Sequence, residues 1–171
     1  DRTGVKKARA EEVKTVKKHK VYTKVPVKQC WERTGKKPIG TRFVDVNKGD
    51  SVNPEYRSRW VAQELNISKR EDLFAATPPL EAKKTLMSMA VTEGIGYRRG
   101  KRKSGKKLDF IDVRRAYFHT KARRENYVDL PEEDYEEGMC GLLNKALYGT
   151  RDAAQNREYE YVEFMTQLVF K

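Results

Sequence analysis

Cysteine is nearly absent from this chain: only Cys30 and Cys140 occur, and neither stands in a C-x-x-C spacing. With just two histidines, His19 and His119, scattered along the sequence, the pattern offers no zinc cluster. The cysteines are expected as free thiols in a reducing compartment, cytoplasm or nucleus. There is no apolar run long enough to span a bilayer and no signal-peptide pattern, so a soluble protein is expected. Apolar residues are scarce, 37% against 36% charged, yet the 2 Trp, 9 Tyr and 6 Phe argue against disorder. Acid is short relative to base: 25 Asp and Glu face 37 Lys and Arg, for a net charge of +12. Such a balance favours a polyanionic partner, nucleic acid first and an anionic membrane surface or acidic protein second.

The charge is unevenly spread. Arg98, Arg99, Lys101, Arg102, Lys103, Lys106 and Lys107 fall within ten residues, interrupted by Gly100, Ser104 and Gly105, which reads as a flexible loop or hairpin tip. This run has three readings: a grip on nucleic-acid phosphates, a nuclear-localisation-like patch, or a solvated loop. Upstream, Lys6 to Lys20 is a basic amphipathic helix candidate in which Ala8, Val13 and Val16 share a face, expected on the surface. Lys37 to Gln63 reads as two strands joined by the turn residues Asn47-Lys48-Gly49-Asp50. Arg57 and Arg59, two apart on the returning strand, share one face, either as anion ligands or as charges guarding a sheet edge. Thr77, Pro78 and Glu81 mark a helix start, and Leu80, Leu86, Met87, Ala90 and Val91 form a stripe expected to be core.

The stretch Leu108 to Phe118 has the composition of a short strand that delivers Asp112 to its end, with Tyr117 five residues on. An acid at the tip of a buried strand is costly unless a cation or donors meet it. Template-directed polymerisation uses such an acid to hold Mg²⁺ against a triphosphate, with backbone N–H groups for the phosphates and a flat ring under the sugar. The plain alternative is a strand-end or capping aspartate.

The run D-V-R-R-A-Y, Asp112 to Tyr117, resembles the first catalytic motif of reverse transcriptases, and L-D-F-I-D-V-R-R-A-Y-F-H-T resembles the form found in copia-type retrotransposon polyproteins. Further segments are similar to that family in the same order: the opening helix with its Tyr-x-x-Val-Pro turn, K-P-I-G-T-R-F-V and Y-R-S-R-W-V-A-Q of the finger hairpin, F-A-A-T-P-P-L-E, and L-N-K-A-L-Y-G-T-R-D-A-A with its helix carrying Tyr159, Val162, Phe164, Met165 and Val169. The resemblance implies an α+β fold, a partial fingers/palm domain with antiparallel strands and flanking helices. Residues 1–7 would be a tail, about 8–79 the fingers and about 80–171 the start of the palm.

By the same resemblance, Asp112 is the catalytic, metal-binding aspartate for Mg²⁺, and Val113 lends a carbonyl to the metal. Arg57, Arg59, Val113, Ala116 and Tyr117 attend the nucleotide, with Tyr117 as the steric gate against a 2′-hydroxyl. RNA template and DNA primer are the implied partners. Tyr127-Val128-Asp129 resembles the start of a Tyr-x-Asp-Asp box, but Leu130 and Pro131 follow, and it matches better a strand that follows the first motif, so Asp129 is given no catalytic role. Asp152 stands where the family carries Gln and Arg157 where it carries Trp, and an acid at 152 would repel phosphates. No Tyr-x-Asp-Asp occurs within the 171 residues, so this polypeptide alone is expected to lack polymerase activity. The competing reading is a non-catalytic basic component of a larger assembly, held by RNA or an acidic protein surface.

Overall fold

The computed structural model describes residues 1–64, 78–100, 105, 107–108, 110 and 112–169. The chain forms two compact units, the first from residues 1–74 and 115–171, the second from 75–114. The architecture is α+β with antiparallel sheets, as the sequence implied.

In the first unit, helix α1 (Arg2–Lys18) starts four residues earlier than its apolar spacing suggests, because the Asp1 carboxylate accepts from the N–H groups of Thr3 and Gly4. Its Ala8, Val13 and Val16 face is buried, so α1 is a core element packed on strand β3 and only its opposite face is solvated. Strand β1 (Tyr22–Pro26) leads into α2 (Val27–Thr34), which ends at Gly35 in the left-handed region that glycine takes readily (φ +64°). The hairpin follows, β2 (Thr41–Asn47) and β3 (Tyr56–Ala62), paired antiparallel with Phe43 opposite Trp60 and Val44 opposite Arg59. Its turn is tied by Asn47, whose Oδ1 accepts from the N–H groups of Gly49 and Glu55.

The rest of this unit is α4 (Ala116–His119), β4 (Tyr127–Val128), a 3₁₀ turn (Glu132–Asp134), β5 (Met139–Leu143) and α5 (Ala153–Val169). Strands order β1-β5-β4, all antiparallel. Val16, Val21, Trp60, Ala62, Phe118, Val128, Leu143 and Leu147 make the main core, and Cys30, Tyr127 and Cys140 a satellite. Both cysteines are free and buried. Tyr22 donates to Asp134 at 2.5 Å, and Lys17 and Lys24 also reach that carboxylate, pinning the 3₁₀ turn to α1 and β1.

The second unit holds α3 (Leu80–Val91), and two expectations fail there. The stripe on α3 is not core, for the helix has no buried residue and Leu80, Leu86, Met87 and Val91 are all exposed. Among the described residues of this unit no sheet lies along α3 to cover the stripe. The strand expected at 108–113 is also missing among the described residues: Leu108, Phe110, Asp112 and Val113 lie outside any strand and are exposed. An alternating pattern becomes a strand only when a neighbour completes its backbone hydrogen bonds, and no described strand does so. Thr77, the expected cap of α3, lies outside the described residues.

Candidate functional site

On β3 the alternation of side chains sends Ser58, Trp60 and Ala62 inward, so Arg57 and Arg59 emerge together on the exposed face. The Arg59 guanidinium lies 5.4 Å from the centre of the Tyr148 ring, within cation–π range. Tyr117 meets the same ring edge-on, centroids 4.6 Å apart and planes at 75°. Two of the sequence-named residues, Arg59 and Tyr117, thus converge on a third, Tyr148, that was quoted only as part of a motif.

The reason Tyr148 sits there is in the backbone. Ala62 donates its N–H to the Tyr148 carbonyl at 2.7 Å, and Gly149 takes φ +83° so closely under β3 that a Cβ would fall 2.0 Å from the Ala62 oxygen. The Tyr-Gly pair was the available signal: only glycine allows both that backbone conformation and that approach.

Ala116 opens α4 and is half-buried, Phe118 is fully buried against the main core, and Tyr117 lies between them, half-buried. Arg115 enters α4 in the left-handed region (φ 55°, ψ 42°). Its Nη1 is 3.0 Å from Oε2 of Glu12, a carboxylate on α1 that is only 4% exposed. Burial raises the Glu12 pKa above the ordinary carboxylate value, against the opposing pull of Arg115, the Trp60 backbone N–H, Arg57 and Arg59. Glu12 is therefore paired with Arg115 and within the electrostatic reach of Arg57 and Arg59, a placement hidden in a helix whose other acid, Glu11, is exposed.

A second buried network borders this site. Arg124 forks onto Glu64 at 3.0 and 2.9 Å and reaches Asp152 Oδ1 at 2.9 Å. Asn156 donates to Asp152 Oδ2 at 2.9 Å, and the Arg151 N–H to Glu64 at 2.8 Å. Burial alone would push the Asp152 carboxyl up, but Arg124 and Asn156 outweigh it and hold it below its usual value. The expected repulsion of phosphates by Asp152 is thus tempered: the acid is 5% exposed and shares the Arg124 guanidinium with Glu64. Glu64, Arg124 and Arg151 line a cleft of about 820 Å³ with Trp31, Lys37 and Gln63.

The remaining candidates belong to the second unit. Asp112 and Val113 are exposed and outside helix and strand, and Arg98, Arg99 and Lys107 are exposed as well. Arg99 pairs with Glu93 at 3.3 Å. Lys101, Arg102, Lys103 and Lys106 lie outside the described residues. No group of three or more His, Cys, Asp or Glu able to hold a metal is found among the described residues. Mg²⁺ takes six oxygen ligands in near-ideal octahedral geometry, so Asp112 by itself could supply only part of such a set. No helix of the described residues is long and apolar enough to cross a membrane.

No curated protein and no solved structure matches the chain. The model of one protein family, described as reverse transcriptase (RNA-dependent DNA polymerase), matches residues 19–171. That span takes in the hairpin bearing Arg57 and Arg59, the Asp112 to Tyr117 run and the Tyr148 turn, and on it the chain belongs to the reverse transcriptase family.

Proposed function

We propose that these residues are the fingers and the first half of the palm of a copia-type retrotransposon reverse transcriptase, and that the 171-residue polypeptide does not polymerise by itself. The observation that carries the reading is the collinear family match over residues 19–171. The meeting of Arg59 and Tyr117 on Tyr148 supports it. In this reading Arg57 and Arg59 neutralise the triphosphate, Ala116 and Val113 offer backbone groups beside it, and the Tyr117 ring lies under the sugar and excludes a 2′-hydroxyl. Asp112 supplies one carboxylate to Mg²⁺, whose remaining carboxylates come from outside these residues. Phosphoryl transfer to a primer 3′-hydroxyl rests on positioning and charge neutralisation, and one carboxylate is too few for two metals. RNA template and DNA primer are the substrates, with Arg98, Arg99, Lys101, Arg102, Lys103, Lys106 and Lys107 touching phosphates. The net charge of +12 also suits a second reading, a non-catalytic basic component of an assembly.

Primer extension on an RNA template with Mg²⁺ tests the proposal. The chain alone is expected to give no product, and robust synthesis abolished by Asp112→Asn would overturn the inactivity. Binding of a fluorescent deoxynucleoside triphosphate that weakens in Arg59→Ala separates the polymerase reading from the basic-component reading, for which that substitution is silent.

A further inference from the structure

We propose that Glu12 is a positioning residue of the nucleotide site: its buried carboxylate pins Arg115 in the left-handed turn that launches α4, and so sets Tyr117 against Tyr148 and Arg59. The inference rests on the reading of Tyr117 and Arg59 as nucleotide contacts.

Three observations meet at this point. Arg115 is one of only two non-glycine residues with positive φ among the described residues. For an L-residue that conformation is unfavourable, and it persists only where the surroundings over-determine it. The surroundings here are a carboxylate, 5% exposed in its side chain and 3.0 Å from Nη1. No aligned hydrogen bond satisfies that buried Nη1, so the link is charge attraction at close range, which burial strengthens.

The geometry of α4 converts this link into the direction of one ring. The helix is a single turn, and its Phe118 is locked into the core with its N–H bonded to the Arg115 carbonyl at 2.8 Å. Tyr117 precedes Phe118 and is only half-buried, so where its ring points depends on the backbone of residue 115. The His19 ring, 5.1 Å from His119 and 5.9 Å from Phe118, steadies the far end of α4 but does not touch its start.

The test uses the whole chain without nucleotide. Tyrosine-ring NMR, with Tyr117 assigned through Tyr117→Phe, reads the Tyr117–Tyr148 contact, while the buried Trp60 indole reports an intact core. In Glu12→Gln the ring contact is expected to be lost and the Tyr117 signals to move toward their unstructured positions, with Trp60 unchanged; Arg115→Lys, which keeps the charge, retains the contact. Should Glu12→Gln not fold, Arg115→Met serves, since methionine keeps the length of the side chain without its charge and has no ease in the left-handed conformation. Loss of the ring contact in that variant supports the latch, and its retention in either variant overturns it.

Nucleotide binding gives the second readout. If fluorescent dATP binds, Glu12→Gln should erode the preference for dATP over ATP about tenfold, about 1.4 kcal/mol. An equal loss for both nucleotides would overturn the positioning role. If the parent chain binds neither nucleotide, the polymerase reading fails, while the latch is still judged by the ring contact.

Discussion

Residue 152 is an acid, and by charge alone it would drive phosphates away. The surroundings weaken that conclusion, because Asp152 is buried and Arg124, Asn126 and Asn156 all point donors at it. Its carboxyl is held below the ordinary value, so the linkage has a definite sign. A carboxyl depressed by folding stabilises above the pKa of the unfolded chain, and that stabilisation is lost as pH falls through the folded pKa. Asp152→Ala is expected to lower stability by about 1.5–3 kcal/mol near neutral pH, the range for hydrogen bonds to a charged group. In urea titrations the gap between variant and parent should shrink as pH drops from about 5 to about 2. A gap that stays constant across that range would mean that the carboxylate charge is not what holds Arg124. Other depressed carboxyls, Asp45, Asp134 and Glu125, are common to both proteins and cancel in the difference.

Elements meet at the candidate site through one glycine. Gly149 lets the 147–150 turn lie against the end of β3, so Tyr148 arrives over Arg59 with its carbonyl bonded to Ala62. Gly149→Ala is expected to cost about 1–3 kcal/mol in backbone strain alone. The added Cβ also displaces the turn from the Ala62 carbonyl, so the nucleotide affinity should fall together with the melting temperature. Differential scanning calorimetry of Gly149→Ala checks the first, and unchanged stability would disprove the close approach. Much of this arrangement was legible: the β2–β3 hairpin from alternation and the Asn47-Lys48-Gly49-Asp50 turn, the shared face of Arg57 and Arg59, and α1 from the spacing of Ala8, Val13 and Val16. What was not legible depends on partners distant in sequence. Glu12 reads as one more solvated acid until Arg115 arrives from about a hundred residues away, and Asp152 reads as repulsive until Arg124 is seen beside it. Strand β5, Met-Cys-Gly-Leu-Leu, is a short apolar run that periodicity cannot type, and only pairing with β1 and β4 identifies it. Conversely, residues 108–113 have strand composition but no described strand to bond with, and the apolar stripe on α3 stays exposed.

For the whole molecule the governing quantity is charge. The ion pairs of the described residues neutralise their own arginines locally, as at Arg9 with Asp45, Arg33 with Glu125 and Arg124 with Glu64, and still the chain carries +12. The surplus is available to a polyanion, and there the signature is release of counterions, which makes affinity fall steeply with salt. The basic run is the densest source, and its described members Arg98 and Arg99 are exposed. The Arg99 pair with Glu93 lies at the surface, where such pairs are worth little, so it does not withhold Arg99 from a phosphate. Binding of a single-stranded RNA should therefore weaken log-linearly with salt, and Arg98→Ala with Arg99→Ala should reduce the slope by about 1.4, at about 0.7 per contact on a single strand. An unchanged slope would remove these two arginines from the nucleic-acid surface and turn the search to other cations, Arg57 and Arg59 on the hairpin face among them. Because that face also carries the nucleotide candidates, RNA bound there would compete with deoxynucleoside triphosphate for the same arginines. The two titrations together thus decide whether strand and nucleotide are held by separate groups of charges.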